Sequence, residues 1–503
     1  MSCLLFAAAL VIQMPQVQTF VTGKVVDRLS EKMDGDISFE KIHLKPFTTL
    51  VLKNVSIIDR HPACDLTDPA SVKIDTFFRA EYIIAKFSYN GLFKHEGIHL
   101  KKAFIDNAQM NLVIENKQDE GDGDTSTDNL SRIFRIKKPE QPKRSEKEIF
   151  HIRKVEIRDM GFLMKNYLAD RNLYEDGGID WNDLDISGIN LNAKGLQFKG
   201  GIMSGELTEL SFSEKSGYEI ISMTGKADVG RGRTIIEDFH IIDPWSDLNL
   251  PVYIMSYENI KAFQDFIGKV RIDAEVAQSL LDFKTISYFA PQLMGNGLVA
   301  DISGNISGYV DDFTFSGLRF NSKAGGFRGR ASGRISGLPQ LEDTYLNARL
   351  EGFRFTTGGL DDFLAQWMKE KEGLDIDRFA SGTEFSMDAS AVGKIDALDI
   401  DASIKSTVGQ AVANVRIDNI IASGKKTGIS GSVNTEDLDI GKILNIGLLG
   451  PVSLKTALKA DLGKEDSSAE LRIDTLKVNR LHANGYDYSN INAVGNISSN
   501  GFN

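Results

Sequence analysis

The 503 residues suffice for about three ordinary domains or one long repetitive body. The 70 acidic side chains outnumber the 58 basic ones by 12, which argues against a protein built to neutralise a nucleic-acid backbone. A composition 42% hydrophobic and 25% charged excludes a disordered chain, and two cysteines, Cys3 and Cys64, exclude a disulfide framework.

Residues 3–12 read CLLFAAALVI, ten uncharged residues in a row. Leu4, Leu5, Phe6, Leu10, Val11 and Ile12 are the expected membrane-anchor side chains. The run is half of the ~20 residues that a spanning helix needs, and no basic segment precedes it as in a secretory leader. It therefore reads as the outer half of a transmembrane helix that begins before the numbered chain, with a buried terminal helix as the alternative. Past Pro15, the apolar residues Val17, Phe20, Val21, Val25 and Leu29 recur every three or four positions among charged neighbours, which predicts an amphipathic helix to about residue 34. The remainder is expected on the aqueous side of a membrane.

From Asp36 onward the dominant pattern is alternation. Val452, Leu454, Thr456, Leu458 and Ala460 alternate with polar residues, and Leu398, Ile400, Ala402 and Ile404 alternate with Asp399, Asp401, Ser403 and Lys405. Leu298, Ala300 and Ile302 form a shorter run of the same kind. A period of two places one face of a sheet in an apolar environment and the other in water. Gly-containing turns such as Ser187-Gly188, Lys199-Gly200-Gly201 and Asn484-Gly485 punctuate these runs, so the expected fold is mainly β, hairpin after hairpin. Helical spacing is confined to Tyr257–Ile267, Leu360–Trp367 and Glu436–Ile446, read as short capping helices.

The expected organisation is an anchor and amphipathic helix over residues 1–34, a first sheet segment over 35–114, a mobile charged loop over 115–148, and a repetitive β body over 149–503. The loop holds an acidic half (Asp119 to Asp128) and a basic half (Arg132 to Arg144), with too little apolar surface to offset its ordering entropy. On its two sides the sequence repeats. His99-Leu-Lys-Lys-Ala-Phe-Ile-Asp-Asn107 is echoed by His151-Ile-Arg-Lys-Val-Glu-Ile-Arg-Asp159, 52 positions on. Repeated strand units that cannot close a core alone imply stacking along an axis.

Catalytic patterns do not survive their context. His95-Glu96-Gly97-Ile98-His99 has the letters of a zinc hydrolase motif, but the flanks read as strand. On a strand, residues i and i+4 lie roughly 13 Å apart, too far to share a metal. Ser38-Phe-Glu-Lys41, Ser88-Tyr-Asn90 and Lys426-Thr-Gly428 mimic penicillin-binding elements, yet Ser38 sits in strand-like text where a buried helix is required. The acid-rich turn Glu175–Asp180 lacks the bidentate Glu of a calcium loop. No catalytic, cofactor or metal site is expected, and the chain is not read as an enzyme.

Several passages resemble a known family. They are Tyr218-Glu-Ile-Ile-Ser-Met-Thr-Gly225, Phe239-His-Ile-Ile-Asp243, Ser287-Tyr-Phe-Ala-Pro-Gln-Leu293, Gly304-Asn-Ile-Ser-Gly-Tyr-Val-Asp-Asp-Phe313 and Gly329-Arg-Ala-Ser-Gly-Arg-Ile-Ser-Gly-Leu-Pro339. Together with the anchor and Leu52-Lys-Asn-Val-Ser-Ile57, they are similar to the N-terminal part of TamB-like translocation and assembly module proteins. The wording is nearest the Bacteroidota form within the AsmA-like group, and the likeness covers nearly all of Pro15–Asn503. Members end in a β-rich C-terminal module that is not found here, and Asn503 falls in strand-like text, so a longer parent protein is expected.

The resemblance implies a single-pass inner-membrane anchor, a periplasmic body shaped as an elongated, curled antiparallel sheet, and phospholipid acyl chains carried along its apolar groove toward the outer membrane. Leu298, Ile302, Leu398, Ile400, Ile404, Val452, Leu454 and Leu458 are the candidate groove lining. The resemblance further implies a partner among outer-membrane β-barrels, reached through the missing C-terminal region. A scaffold or chaperone for outer-membrane protein assembly that lends sheet edges to client strands is the alternative. Alternation alone does not separate a lipid-filled trough from a dry core packed with the protein's own side chains.

Overall fold

A computed structural model describes residues 33–45, 48–62, 73–88, 98–116, 126–135, 148–168, 177–291, 294–356, 358–359, 383–420, 426–444, 446–462, 470–498 and 501–502. The expected anchor and amphipathic helix, His95 and Glu96, and the expected helix Leu360–Trp367 lie outside them. Among the described residues no helix is long and apolar enough to cross a membrane. The chain is mainly β, as the alternation predicts, and forms two compact units: Met1–Asp247 with Thr285–Gln292, and Leu248–Lys284 with Leu293–Asn503.

The first unit contains β1 (Gly35–Ser38), β2 (Lys41–Lys45), β3 (Thr49–Asp59), β4 (Thr76–Phe87), β5 (Ile98–Asn116), β6 (Ser126–Asp128), β7 (Glu148–Asn166), β8 (Asp183–Lys199), β9 (Ile202–Glu214), β10 (Glu219–Ile220), β11 (Ser222–Val229) and β12 (Arg233–Ile242). Antiparallel pairing runs β3–β4–β5 and again β7–β8–β9–β11–β12. Ser38 and Lys41, one half-motif apart in the sequence, fall on the separate strands β1 and β2, each paired with β3.

Hairpin after hairpin fails where the sequence repeats. Strands β5 and β7 are parallel, with His99 opposite His151, Ile105 opposite Ile157 and Ile114 opposite Asn166. Every pair in that ladder keeps the 52-residue offset of the sequence repeat. The repeated text therefore does not mark units stacked in series: its two copies lie side by side in register. Parallel strands need a long crossover, and the charged stretch between them supplies it.

Within that stretch, residues 126–135 form β6 and the short helix Asn129–Ile133, so this part is not a solvated excursion. Asp128 caps the helix, accepting from the Ser131 amide at 2.6 Å. Ile133 is completely buried with Phe77 and Met33. Asn129, also buried, accepts from the Val113 amide and donates to the Asn111 carbonyl, both at 3.0 Å. The basic half contributes Arg132, which reaches the buried Asp59 at 2.8 Å, Glu115 at 2.8 Å and the His61 carbonyl at 2.6 Å. Burial pushes the Glu115 carboxyl up, against the pull of Arg132. Ile133 and Leu130 on the apolar side, with the Asn129 amide and the Arg132 pairs, dock a segment whose average composition is that of a loop.

A second cluster of this unit joins Ile179, Leu184, Tyr218 and Ile220 to Trp245 and Tyr288. Beneath it Asp243 is buried and accepts from the Trp245 amide at 2.7 Å, the Ser246 amide at 2.6 Å and the Thr285 hydroxyl at 2.7 Å. Its negative charge and burial together push the Tyr218 hydroxyl far up, burial being the larger cause.

The second unit takes in β13 (Asp247–Ser256), β14 (Arg271–Asp282), β15 (Val299–Tyr309), β16 (Asp312–Ser322), β17 (Phe327–Ser336), β18 (Tyr345–Thr356), β19 (Glu384–Lys394), β20 (Ala397–Ser406), β21 (Gly409–Asp418), β22 (Thr427–Asp439), β23 (Leu449–Leu462), β24 (Glu470–Ala483), β25 (Tyr486–Tyr488), β26 (Ile491–Ser498) and β27 (Gly501–Phe502). From β14 to β24 each strand pairs antiparallel with the next one in the sequence. The stripe Tyr257–Ile267 does not make one amphipathic helix. It is a 3-10 turn, Ile260–Asp265, followed by a single α turn, Phe266–Lys269. Tyr257, Ala262 and Val270 pack inside while Phe263 and Ile267 remain exposed, because the tighter 3-10 turn no longer holds a 3.6-residue stripe on one face. The third expected helix shortens to Ile440–Leu444, since Glu436–Asp439 continue β22.

Candidate functional site

Directly opposed residues in an antiparallel ladder point to the same face, so the registers trace rows of side chains across many strands. One row runs Ala274, Ile306, Phe315, Gly333, Ala348, Ala391, Ile400, Val415, Gly431, Leu458, Ile473, with one residue from each of β14 to β24. Every member is apolar or glycine. A neighbouring row, from Ile272 through Phe313, Ile335, Leu346, Leu398, Ile417 and Ile429 to Leu471, crosses the same strands with glycine or alanine at its other positions. The second unit thus carries a ribbon of apolar surface that runs across the strands and is set by period-two alternation repeated in register.

The ribbon is neither sealed nor bare. In the first row ten of the eleven residues are half-buried, and only Phe315 is buried, at 8% exposure. Its floor is low where small residues coincide. Gly333 on β17 has no room for a Cβ, which would lie 2.7 Å from the Cα of Ala348, and Ala389, Ala391, Ala402 and Ala413 continue the small side chains across β19 to β21. Beside this floor stands a wall of rings. Phe353 and Phe355 stack at 5.2 Å and Phe355 and Phe385 at 5.4 Å, with Phe320 and Phe327 against them. Gly329 makes the close approach possible, because a Cβ there would meet Phe320 and Phe353 at 3.1 Å.

The opposite face is charged. Arg416 bonds Asp399 at 3.1 Å, and Arg334 grips both Asp312 oxygens, at 2.6 and 2.5 Å. The Arg334 guanidinium holds the Asp312 carboxyl below its usual range.

The eight candidate lining residues all fall in the second unit. Leu398, Ile400 and Ile404 share one face of β20. Ladder steps through β21 and β22 carry that face from Ile400 to Leu458, and from Ile404 to Leu454. Ile302 joins it by lying opposite Phe320, which in turn lies opposite Gly329. Leu298, just ahead of β15, and Ile404 both pack on the phenylalanine wall. Val452 differs: at 3% exposure it is buried, opposite Leu438 and Leu481. The six anchor residues Leu4 to Ile12 lie outside the described residues.

Sequence reading missed the phenylalanine wall and the small-residue floor. Both were present in Phe327-Arg-Gly-Arg-Ala-Ser-Gly-Arg-Ile335, where apolar or small residues alternate with three arginines and a serine. Glycine and alanine carry little hydropathy, so a strand whose inner face is built from them looks like a turn.

No family model, curated protein or solved structure matches the chain.

Proposed function

We propose that the apolar ribbon binds the acyl chains of phospholipids, and that the protein moves lipid between the two membranes of a bacterial envelope. In this reading the N-terminal segment anchors the chain in the inner membrane, the body lies in the periplasm, and the sheet curls its apolar face into a groove. The observation that carries it is the eleven-strand row without a polar side chain, half-buried over nearly its whole length. A face of that kind suits a flexible hydrocarbon. Each CH₂ taken from water gains about 0.8 kcal/mol, and the lack of hydrogen-bonding groups along the row leaves no fixed stopping point for a sliding tail. The polar threonines nearby, Thr435 and Thr456, sit in other rows.

The test is mass spectrometry of organic extracts from detergent-free purified protein. Co-purifying phospholipid is expected, and Ile400→Asp or Leu454→Asp reduces it while leaving the strand content seen by circular dichroism unchanged. Extracts without lipid would overturn the reading and leave a scaffold that offers sheet edges to client strands.

A further inference from the structure

The parallel ladder of the first unit has a chemical consequence independent of the apolar ribbon. It sets two histidines of the repeat beside each other, with ring centroids of His99 and His151 6.2 Å apart. Glu148 joins them. Its Oε2 lies 3.7 Å from His99 Nε2 and its Oε1 3.9 Å from His151 Nδ1, and one ligand atom from each residue falls within 4.8 Å of the other two. On a regular strand, residues 148 and 151 would point to opposite faces. The register of β7 against β8 shifts between Glu148 and Phe150, and such an irregularity lets the carboxylate share the side of the His151 ring.

We propose that His99, Glu148 and His151 form a binding site for a divalent transition-metal cation of the zinc type. The separations of 3.7 and 3.9 Å are too long for hydrogen bonds. They are close to the roughly 3.3 Å between ligands around a tetrahedral ion with bonds of about 2.0 Å. Two imidazoles and one carboxylate are a nitrogen-rich set, which selects zinc, nickel or copper over calcium and magnesium. Side-chain exposures of 14% for His99, 27% for Glu148 and 43% for His151 leave a path for the ion, and three protein ligands leave one position for water. Gln197 lies opposite His151 in the ladder, its amide held by the Ser204 hydroxyl at 2.9 Å, and borders the site. The imidazole that converges on His99 thus comes from 52 residues downstream. The bound ion ties the first residues of β5 to those of β7.

The experiment is equilibrium dialysis of the full chain, carrying no histidine tag, against zinc chloride, with cobalt(II) as a spectroscopic stand-in. The expected result is one tight equivalent of zinc and the visible absorption of cobalt in a tetrahedral nitrogen–oxygen site. His151→Ala, at the most exposed ligand, and Glu148→Gln weaken zinc binding on the order of 100-fold with strand content unchanged. His240→Ala and His482→Ala, in surface pairs with Asp247 and Asp487, leave it unaltered. Zinc bound equally well by His151→Ala, or no tight equivalent in the wild-type chain, overturns the site. Lipid content does not bear on either outcome.

Discussion

The two units solve the same problem, a large area of sheet with a face to hide, in opposite ways. In the first, the hidden face is closed by its own chain and laced with polar groups: Asp59 with Arg132, Asn129 with two backbone groups, Asp243 with two amides and a hydroxyl. In the second, Phe353, Phe355 and Phe385 seal one part of the face, and ten of the eleven residues in the row across β14 to β24 are half-buried aliphatic or small ones. Buried polar groups fix one geometry because each must find its partner, whereas an apolar row accepts any apolar cover. Uniqueness of structure is therefore concentrated in the first unit and accommodation in the second.

The contrast can be broken at several points. The largest expected loss is from Phe355→Ala, about 3–5 kcal/mol, because it removes a ring stacked on both sides. Hydrogen exchange should show the loss in β18 to β20 with β3 to β5 untouched. Asp59→Ala leaves Arg132 beside a vacated partner and costs about 3 kcal/mol, with the exchange pattern reversed. If either variant loosens both units together, the division between them is wrong.

Acid should weaken the first unit at one identifiable carboxylate. Lys102 and then Arg158 bond the Glu156 carboxylate and hold it down at about 2, although it lies beneath long basic side chains and outside any apolar core. The folded value is below the unfolded one of about 4.5, so this contribution is complete above pH 4.5 and is lost as pH falls toward 2. Thermal unfolding between those limits should show the first unit weakening, and Glu156→Gln should flatten that dependence. The smallest effect is expected from Ala413→Leu on the low floor of the ribbon. An open face absorbs the added carbons within about 1 kcal/mol while lipid occupancy drops, whereas a sealed core would lose about 1–3 kcal/mol.

Much of the second unit could be read in advance because its pairing is local. Alternation in β20 and β23 named Ile400 and Leu458, and the registers bring them into one row. The phenylalanine wall escaped because its rings come from four strands, β16 to β19, and no strand supplies more than two of them. The parallel pair escaped for another reason. The repeat at 99–107 and 151–159 was visible, but similar text in two places does not say whether the copies follow one another or lie abreast. The helix Asn129–Ile133 was masked by the charge around it: Ile133 is one residue, and the value of Arg132 depends on Asp59, 73 positions away.

From β15 to β23, each strand pairs with its immediate predecessor and its immediate successor. Such a chain can assemble like a zip, with each new hairpin adding itself to an existing edge, so loop closures stay short and order can advance as the polypeptide emerges from the ribosome. The join between β5 and β7 must wait for 52 residues to be in place, a longer closure than any hairpin from β14 to β24 demands.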